Sequence, residues 1–189
     1  MIIDAEWLIL LATVAFIAGF VDTLAGGGGL ITIPAFLFAG FTPAQALATN
    51  KCQAFAGTLT ASLRLISSGH LKIRSLWPYA LLAFGMALAG AWSLREVSDA
   101  DWLDRVVPIL LLAAAAYFGL VRLPQTVPEK APSFGVLAMV GVISIGFYDG
   151  FFGPGTGSLF ALLMISVLGL GLREATIHAK LFNAMTNLA

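Results

Sequence analysis

Four charged side chains lie within or beside long apolar stretches of this sequence, where a charge is energetically expensive. They are Asp22, Lys51, Asp149 and Lys180. A lysine or an aspartate at the centre of a membrane helix costs roughly 2.5–3.5 kcal/mol on insertion scales, so such residues mark ion pathways and substrate sites. A buried lysine can neutralise an anion or pair with an acid, and a buried acid can bind a proton. The four residues therefore indicate the binding and movement of small ions.

The composition around these four residues is that of a membrane protein. Of the 189 residues, 59% are hydrophobic and 11% are charged, and ten Lys and Arg balance ten Asp and Glu. Soluble domains average about 45–50% apolar and about 25% charged residues, so the composition disfavours a soluble enzyme. The net charge of zero argues against nucleic-acid binding driven by electrostatics.

The sequence also lacks the residue sets that catalysis or a metal site would need. A single cysteine, Cys52, excludes an internal disulfide and a site built from several thiolates. The two histidines, His70 and His178, are far apart in sequence, and no convergent nucleophile accompanies them. We therefore predict no enzyme activity, no metal and no cofactor.

Successive apolar runs predict an all-α fold, a polytopic bundle of transmembrane helices. The hydrocarbon core of a bilayer is about 30 Å thick and needs about 20 apolar residues per helix. The runs cover residues 7–21, 24–41, 43–66, 76–94, 106–121, 134–148, 159–170 and 173–189. We expect a multi-pass protein of the cell membrane, the cytoplasmic or inner membrane of a bacterial cell.

Basic residues in the loops predict the orientation. Arg64, Lys72 and Arg74 occur together with no acid between them, whereas the next loop holds two arginines and four acids. Because cytoplasmic loops are enriched in Lys and Arg, the first of these loops is predicted inside and the amino terminus outside. The later loop with Arg122 and Lys130 then falls inside as well, which agrees with the rule.

A short pattern occurs twice in the chain. Residues 19–22, Gly-Phe-Val-Asp, reappear 127 residues later as Gly-Phe-Tyr-Asp at 146–149. A glycine cluster follows each copy, at 26–29 in the first and at 153–157 in the second. Glycines at this density interrupt a membrane helix, so the bundle is predicted to contain two glycine-broken helices.

A second match extends the pattern into two sequence-related repeats. Residues 46–51 correspond to residues 175–180 at a shift of 129, and each segment ends in a lysine. We predict a first transmembrane repeat at 1–122, a short loop at 123–132 and a second repeat at 133–189. The run at the carboxy terminus is still apolar and uncapped, so either the chain is a fragment with an incomplete second repeat or its last helix is unusually exposed, and we favour the fragment.

The relative orientation of the repeats depends on one segment. If residues 24–41 cross the membrane, five crossings separate the two aspartates and the repeats are inverted. If the segment is a re-entrant hairpin, the repeats are parallel. Inverted repeats are common among secondary transporters, which place their sites at the repeat interface near the midplane. We favour the inverted arrangement.

The motifs resemble those of the sulfite exporter TauE/SafE family of membrane permeases. The matching stretches are Gly-Phe-Val-Asp-Thr-Leu-Ala-Gly-Gly-Gly-Gly-Leu-Ile at 19–31 with Pro34, Ala-Thr-Asn-Lys at 48–51, and the weaker second copy. The resemblance implies transport of small anions, often sulfur-containing ones such as sulfite or organosulfonates. Family members are usually longer and have a more complete second half.

The glycine clusters have two readings. Glycines can serve only close helix packing, which we expect of Gly85 and Ala89. A broken helix can instead line a cavity and present free backbone N–H groups to an anion. We favour the second reading, with hydroxyl donors from Thr32 and Thr156. The glycines predicted to bind substrate are Gly26, Gly27, Gly28, Gly29, Gly153, Gly155 and Gly157.

The two lysines have three readings. A helix that starts at Pro43 places Lys51 about 12 Å along its axis, and Lys180 lies about 10 Å beyond Arg173. Lysines near helix ends can snorkel to the interface, but two matching depths fit that reading poorly. Direct contact with an anion is the favoured reading, and an ion pair with Asp22 or Asp149 is the alternative.

The two aspartates and two asparagines have alternatives as well. Asp22 and Asp149 each precede a glycine break, where an aspartate can cap the next helix or couple proton movement to transport. Capping is favoured, and coupling is kept as the functional reading. Asn50 and Asn183 could line a polar substrate cavity or bind neighbouring helices, and both readings stay open.

These expectations combine into one hypothesis of function. The protein is predicted to be a secondary transporter that moves a small anion by alternating access, with proton coupling. The expected partners are the anion and the lipid bilayer, without nucleic acid, and assembly into homo-oligomers is left open. The alternatives are an anion channel and a membrane scaffold that transports nothing.

Overall fold

The chain folds entirely into helices over the residues that the computed structural model describes, which are 4–71, 73–120 and 135–189. The helices in this part are α1 (Ala5–Ala25), α2 (Gly29–Phe38), α3 (Pro43–Ser67), α4 (Ile73–Glu96), α5 (Leu103–Leu120), α6 (Val136–Phe151), α7 (Thr156–Ser166) and α8 (Leu172–Leu188). Each predicted apolar run overlaps one helix, so the all-α fold class is confirmed. Lys72, Arg122, Lys130 and the predicted loop at 123–132 lie outside the described residues.

Helix length and exposure identify a membrane protein. By length and composition, the stretches Ala5–Thr23, Ile73–Glu96 and Leu103–Leu120 could each cross a bilayer. Their outer faces carry large exposed apolar side chains such as Phe16, 79% exposed, and Leu112, 72% exposed. Exposure on this scale would be unfavourable in water, but it suits contact with lipid.

The helices after the two glycine clusters are short. α2 has 10 residues and α7 has 11. At 1.5 Å per residue, α2 is about 15 Å long, about half the thickness of the hydrocarbon core. The glycine-broken helices of the prediction are therefore present. The division into two repeats and their relative orientation stay predictions.

The helices that carry the two lysines, α3 and α8, pack against each other. α3 begins with a capping box in which Thr42 Oγ1 accepts a hydrogen bond from Gln45 N at 3.3 Å and Gln45 Oε1 accepts one from Thr42 N at 3.0 Å. Further along, Lys51 Nζ reaches the carbonyl of Thr186 at 3.4 Å, and Ser62 Oγ donates to the carbonyl of Lys180 at 3.1 Å. Because position 51 lies beside 186 and position 62 beside 180, the two helices run antiparallel.

Small residues bring α4 and α6 into backbone contact. A Cβ atom built on Gly146 would lie 2.7 Å from the carbonyl oxygen of Ala83, and one on Gly150 would collide with that of Ala87. A Cβ on Gly90 would collide with the carbonyl oxygen of Phe147. Small residues spaced by four let membrane helices approach closely. This contact fixes the end of α6, and with it Asp149.

The packing role expected of Gly85 and Ala89 is wrong within this chain. Both residues are exposed, and a Cβ on Gly85 would have no neighbour within 4 Å. The contact surface of α4 consists of Ala83, Ala87 and Gly90, spaced by four and three residues, so it is the other face of the helix that packs.

Alanine at Gly150 is expected to destabilise the fold, and alanine at Gly85 is not. The new methyl group at position 150 would collide with the backbone of α4, and overpacking of this kind typically costs about 1–3 kcal/mol. At Gly85 there is open space, and alanine gains up to about 1 kcal/mol of helix propensity. Thermal unfolding of the purified protein in detergent measures the difference. Equal unfolding temperatures for the two variants would contradict the α4–α6 contact.

Candidate functional site

The two glycine breaks lie against each other in the interior. α1 ends at Gly26, which has the left-handed backbone that favours glycine, with φ +75°. Gly155, with φ +82°, precedes α7 in the same conformation. A Cβ on Gly26 would lie only 2.7 Å from the Cα atom of Gly157. The break that follows α1 and the break that follows α6 therefore touch backbone to backbone.

Asp22 holds the first break through its backbone. The buried Asp22 carboxylate accepts a hydrogen bond through Oδ1 from Gly28 N at 3.0 Å. Gly28 lies so close that a Cβ there would be 2.7 Å from Asp22 Cβ and 2.6 Å from the carbonyl oxygen of Ala18. The donor is the residue that precedes α2, so Asp22 holds the backbone just before the helix, and capping of the first turn of α2 by Asp22 stays a prediction. Proton coupling by Asp22 stays a prediction.

Asp149 has two side-chain partners at the second break. Its Oδ1 accepts a hydrogen bond from Thr156 Oγ1 at 2.7 Å, and its Oδ2 lies 3.2 Å from Lys51 Nζ. The Asp149 side chain is 1% exposed and that of Lys51 is 14% exposed. Nearby, the Tyr148 hydroxyl donates to the carbonyl of Pro154 at 2.7 Å. An ion pair with little exposure to solvent therefore lies at the centre of the second break.

Both lysines reach from one predicted repeat into the other. Lys51 lies in the first and contacts Asp149 in the second, whereas Lys180 lies in the second and contacts Asp22 in the first. Lys180 Nζ donates to the backbone carbonyl of Asp22 at 2.6 Å, not to its carboxylate. Lys180 is only 6% exposed, so it does not snorkel to the surface.

A small polar cavity lies between the two breaks. Its volume, about 10 Å³, is close to the minimum that holds one water molecule. Its lining includes Asp22, Gly26, Gly29, Asn50, Ala54, Gly153, Gly155, Thr156, Asn183 and Asn187. A polyatomic anion does not fit into this space.

Other predicted residues lie in or beside the cavity lining. Thr32 Oγ1 donates to Asn50 Oδ1 at 2.5 Å. A Cβ on Gly157 would lie 3.1 Å from the amide nitrogen of Asn183. Gly27 does not join the cluster, because a Cβ there would meet nothing within 4 Å. The substrate-binding role of each of these residues stays a prediction.

The sequence reasoning missed three residues that form hydrogen bonds at the site. Ser62 binds the backbone of Lys180, Thr186 offers its carbonyl to Lys51, and Tyr148 braces Pro154. Ser62 follows Lys51 by 11 residues, which is three helical turns on one face, so helical spacing could have found it. A backbone carbonyl such as that of Thr186 has no equivalent signal in the sequence.

The described residues contain no group of three or more His, Cys, Asp or Glu that could hold a metal ion. What they do contain is a helical membrane fold with two short half-helices, whose breaks meet around buried charges. Discontinuous helices that meet around buried charges are a feature of membrane transporters.

Comparison with known proteins identifies the family. The model of the family described as sulfite exporter TauE/SafE matches residues 11–189. The chain therefore belongs to the sulfite exporter TauE/SafE family of membrane transporters, and the resemblance seen in the sequence is confirmed. Family membership indicates a transporter rather than an enzyme.

Three curated relatives support the assignment. A Sinorhizobium protein named "Probable membrane transporter protein ORF9" is 44% identical over 177 residues, which are 92% of this chain and 67% of the relative. A Haemophilus influenzae "Probable membrane transporter protein" is 39% identical over 188 residues, 99% and 73% of the two chains. "Probable membrane transporter protein YfcA" of Escherichia coli K12 is 40% identical over 176 residues, 93% and 65%. The chain thus spans about two thirds to three quarters of these relatives, and no solved structure matches it significantly.

Proposed function

We propose that this protein moves a small sulfur-containing anion, sulfite or an organosulfonate, across the cytoplasmic membrane of a bacterial cell by alternating access. The single observation that carries the proposal is the exchange of contacts between the predicted repeats. Lys51 binds Asp149 and Lys180 binds the backbone of Asp22, and both contacts lie beside the touching glycine breaks. The substrate class rests on the family name alone.

The local electrostatics support an anion as the substrate. α2 and α7 begin at the breaks, where the positive end of each helix dipole favours negative charge. Lys51 and Lys180 add two cationic groups within the same region. An entering anion can then take the place of Asp149 as the partner of Lys51.

Proton coupling follows from the same ion pair. A proton bound by Asp149 would remove the negative charge that holds Lys51. Lys51 would then be free to bind the anion, so proton and anion would occupy the site together. In this mechanism Asp149 is the coupling residue, and Asp22 keeps the first break closed through Gly28.

Alternating access is supported by the tight packing of the site. The cavity has a volume of about 10 Å³, so this conformation is closed to a polyatomic anion. The antiparallel contact of α3 with α8, which carry the repeat-related Lys51 and Lys180, favours the inverted arrangement of the repeats. Movement of one repeat against the other would open the site to each side in turn. Homo-oligomer formation stays a prediction.

Flux through liposomes that contain the purified protein tests the proposal. We expect uptake of sulfite or sulfoacetate that saturates with concentration, is accelerated by unlabelled anion on the opposite side, and rises with an inward proton gradient. Empty liposomes give the background. Flux that neither saturates nor shows exchange would instead indicate a channel, and absence of flux for both anions would favour a scaffold.

A further inference from the structure

A second, larger pocket lies away from the central cavity, between the end of α3 and the start of α8. Its volume is about 550 Å³. Arg64 and Ser68 border it from α3 and its cap, His70 from the loop that follows, and Arg173 and Thr176 from α8. The antiparallel packing of α3 and α8 brings these two helix ends to the same side of the bundle, the side predicted to be cytoplasmic.

The charge of this pocket is positive. Two guanidinium groups and one imidazole border it, and none of its described lining residues is acidic. Glu174, adjacent to Arg173 in sequence, is exposed and does not line the pocket. The Nδ1 atom of His70 lies 2.9 Å from Ser68 Oγ. The guanidinium group of an arginine can donate two hydrogen bonds to a phosphate group, and hydroxyl groups can donate to its remaining oxygens.

The remaining wall of the pocket is apolar. Leu65 from α3 and Ile177 from α8 are half-buried and line the pocket beneath the charged groups. A free inorganic anion would use the cationic groups but would gain nothing from this apolar wall. A phospholipid would use both, because its phosphate lies at the membrane surface and its chains continue along the helices.

We propose that the pocket formed by Arg64, His70 and Arg173 binds the phosphate of an anionic phospholipid. Basic pockets between membrane helices on the cytoplasmic side suit such headgroups, since that leaflet carries negative lipid. A lipid bound there would link the end of α3 to the start of α8, the two helices that carry Lys51 and Lys180. The proposal does not depend on which anion is transported.

Lipid binding to the purified protein in neutral detergent provides the test. Native mass spectrometry would count phosphatidylglycerol and phosphatidylcholine molecules retained at increasing lipid concentration. The test variant is Arg64→Gln with Arg173→Gln. The matched control is Arg95→Gln with Arg105→Gln, which removes two exposed arginines from the end of α4 and the start of α5, on the side predicted to be opposite.

We expect phosphatidylglycerol to be retained by the wild type and the control, and its affinity to fall about tenfold or more in the test variant. Phosphatidylcholine should bind all three proteins equally weakly. Equal retention of phosphatidylglycerol by the test variant and the control would overturn the proposal. Displacement of the lipid by inorganic phosphate at matched concentration would also overturn it, since the pocket would then select a free anion. Unfolding temperatures without lipid confirm that both variants are folded.

Discussion

Replacing Lys51 with alanine is expected to reduce anion flux at least about tenfold and to lower the unfolding temperature at the same time. The change leaves the Asp149 carboxylate, 1% exposed, with Thr156 but without its cation. Removing one partner of a buried ion pair typically costs about 3–5 kcal/mol, because an uncompensated charge stays behind. The measurements are flux into liposomes per folded protein and thermal unfolding in detergent.

A double variant separates the functional from the structural effect of this pair. Lys51→Ala with Asp149→Asn removes both charges, so we expect most of the lost stability to return. Flux should stay low, because the cation proposed to bind the anion and the carboxylate proposed to bind the proton are both absent. The control is Arg74→Ala, which removes an exposed cation at the start of α4. Wild-type flux in the double variant would mean that the pair only supports the fold.

The second large effect is expected at Gly26, where alanine should abolish transport while alanine at the neighbouring Gly27 leaves it nearly unchanged. At Gly26 the new Cβ would lie 2.7 Å from Gly157 Cα, and the left-handed backbone adds strain of about 1–2 kcal/mol. At Gly27 a Cβ would meet nothing within 4 Å. The two substitutions are at adjacent positions, but only the one at Gly26 disturbs the contact between the two glycine breaks. Flux and the yield of folded protein measure the outcome.

A third variant separates backbone strain from the contact itself. Gly157→Ala would place a Cβ 2.9 Å from the Cα atom of Gly26, but Gly157 lies in a helix and has no left-handed conformation. Loss of flux in both Gly26→Ala and Gly157→Ala would indicate that the contact between the breaks is required. Normal flux in Gly157→Ala with loss in Gly26→Ala would assign the effect to strain at Gly26 alone. Normal flux in both would contradict the prediction.

The helices of this protein could be predicted from the sequence because apolar runs and their interruptions are local properties. The predicted helix boundaries were less accurate where an apolar stretch does not keep a helical backbone. The run at 159–170 was expected to be one helix, but α7 covers Thr156–Ser166. The chain leaves the helix before Gly169, which has φ +66°, although residues 167–170 are as apolar as those before them. Hydropathy reports the environment of a residue, not its dihedral angles.

The site was predictable in its residue types but not in its pairing. Asp149 stands out because its surroundings are apolar, but nothing local says that Lys51, 98 residues away, is its partner. The partner of Asp149 depends on where α6 ends. The contacts of Gly146 and Gly150 with α4 fix the position of that end. The sequence reasoning placed the packing surface of α4 on the wrong face, so it could not have derived the pairing. The contact of Lys180 with a backbone carbonyl is likewise invisible in side-chain identities.

The balance of the four central charges has a consequence for the response of the protein to membrane voltage. In the alternating-access mechanism proposed above, with Lys51, Lys180, Asp22 and Asp149 all ionised, the empty site has no net charge, so the membrane potential exerts no net force on its reorientation. A monovalent anion bound alone would make the site negative, and about 2.3 kcal/mol per 100 mV would then act on its full passage across the membrane. If a proton on Asp149 accompanies that anion, the loaded site is neutral again, and the complete cycle is electrically silent.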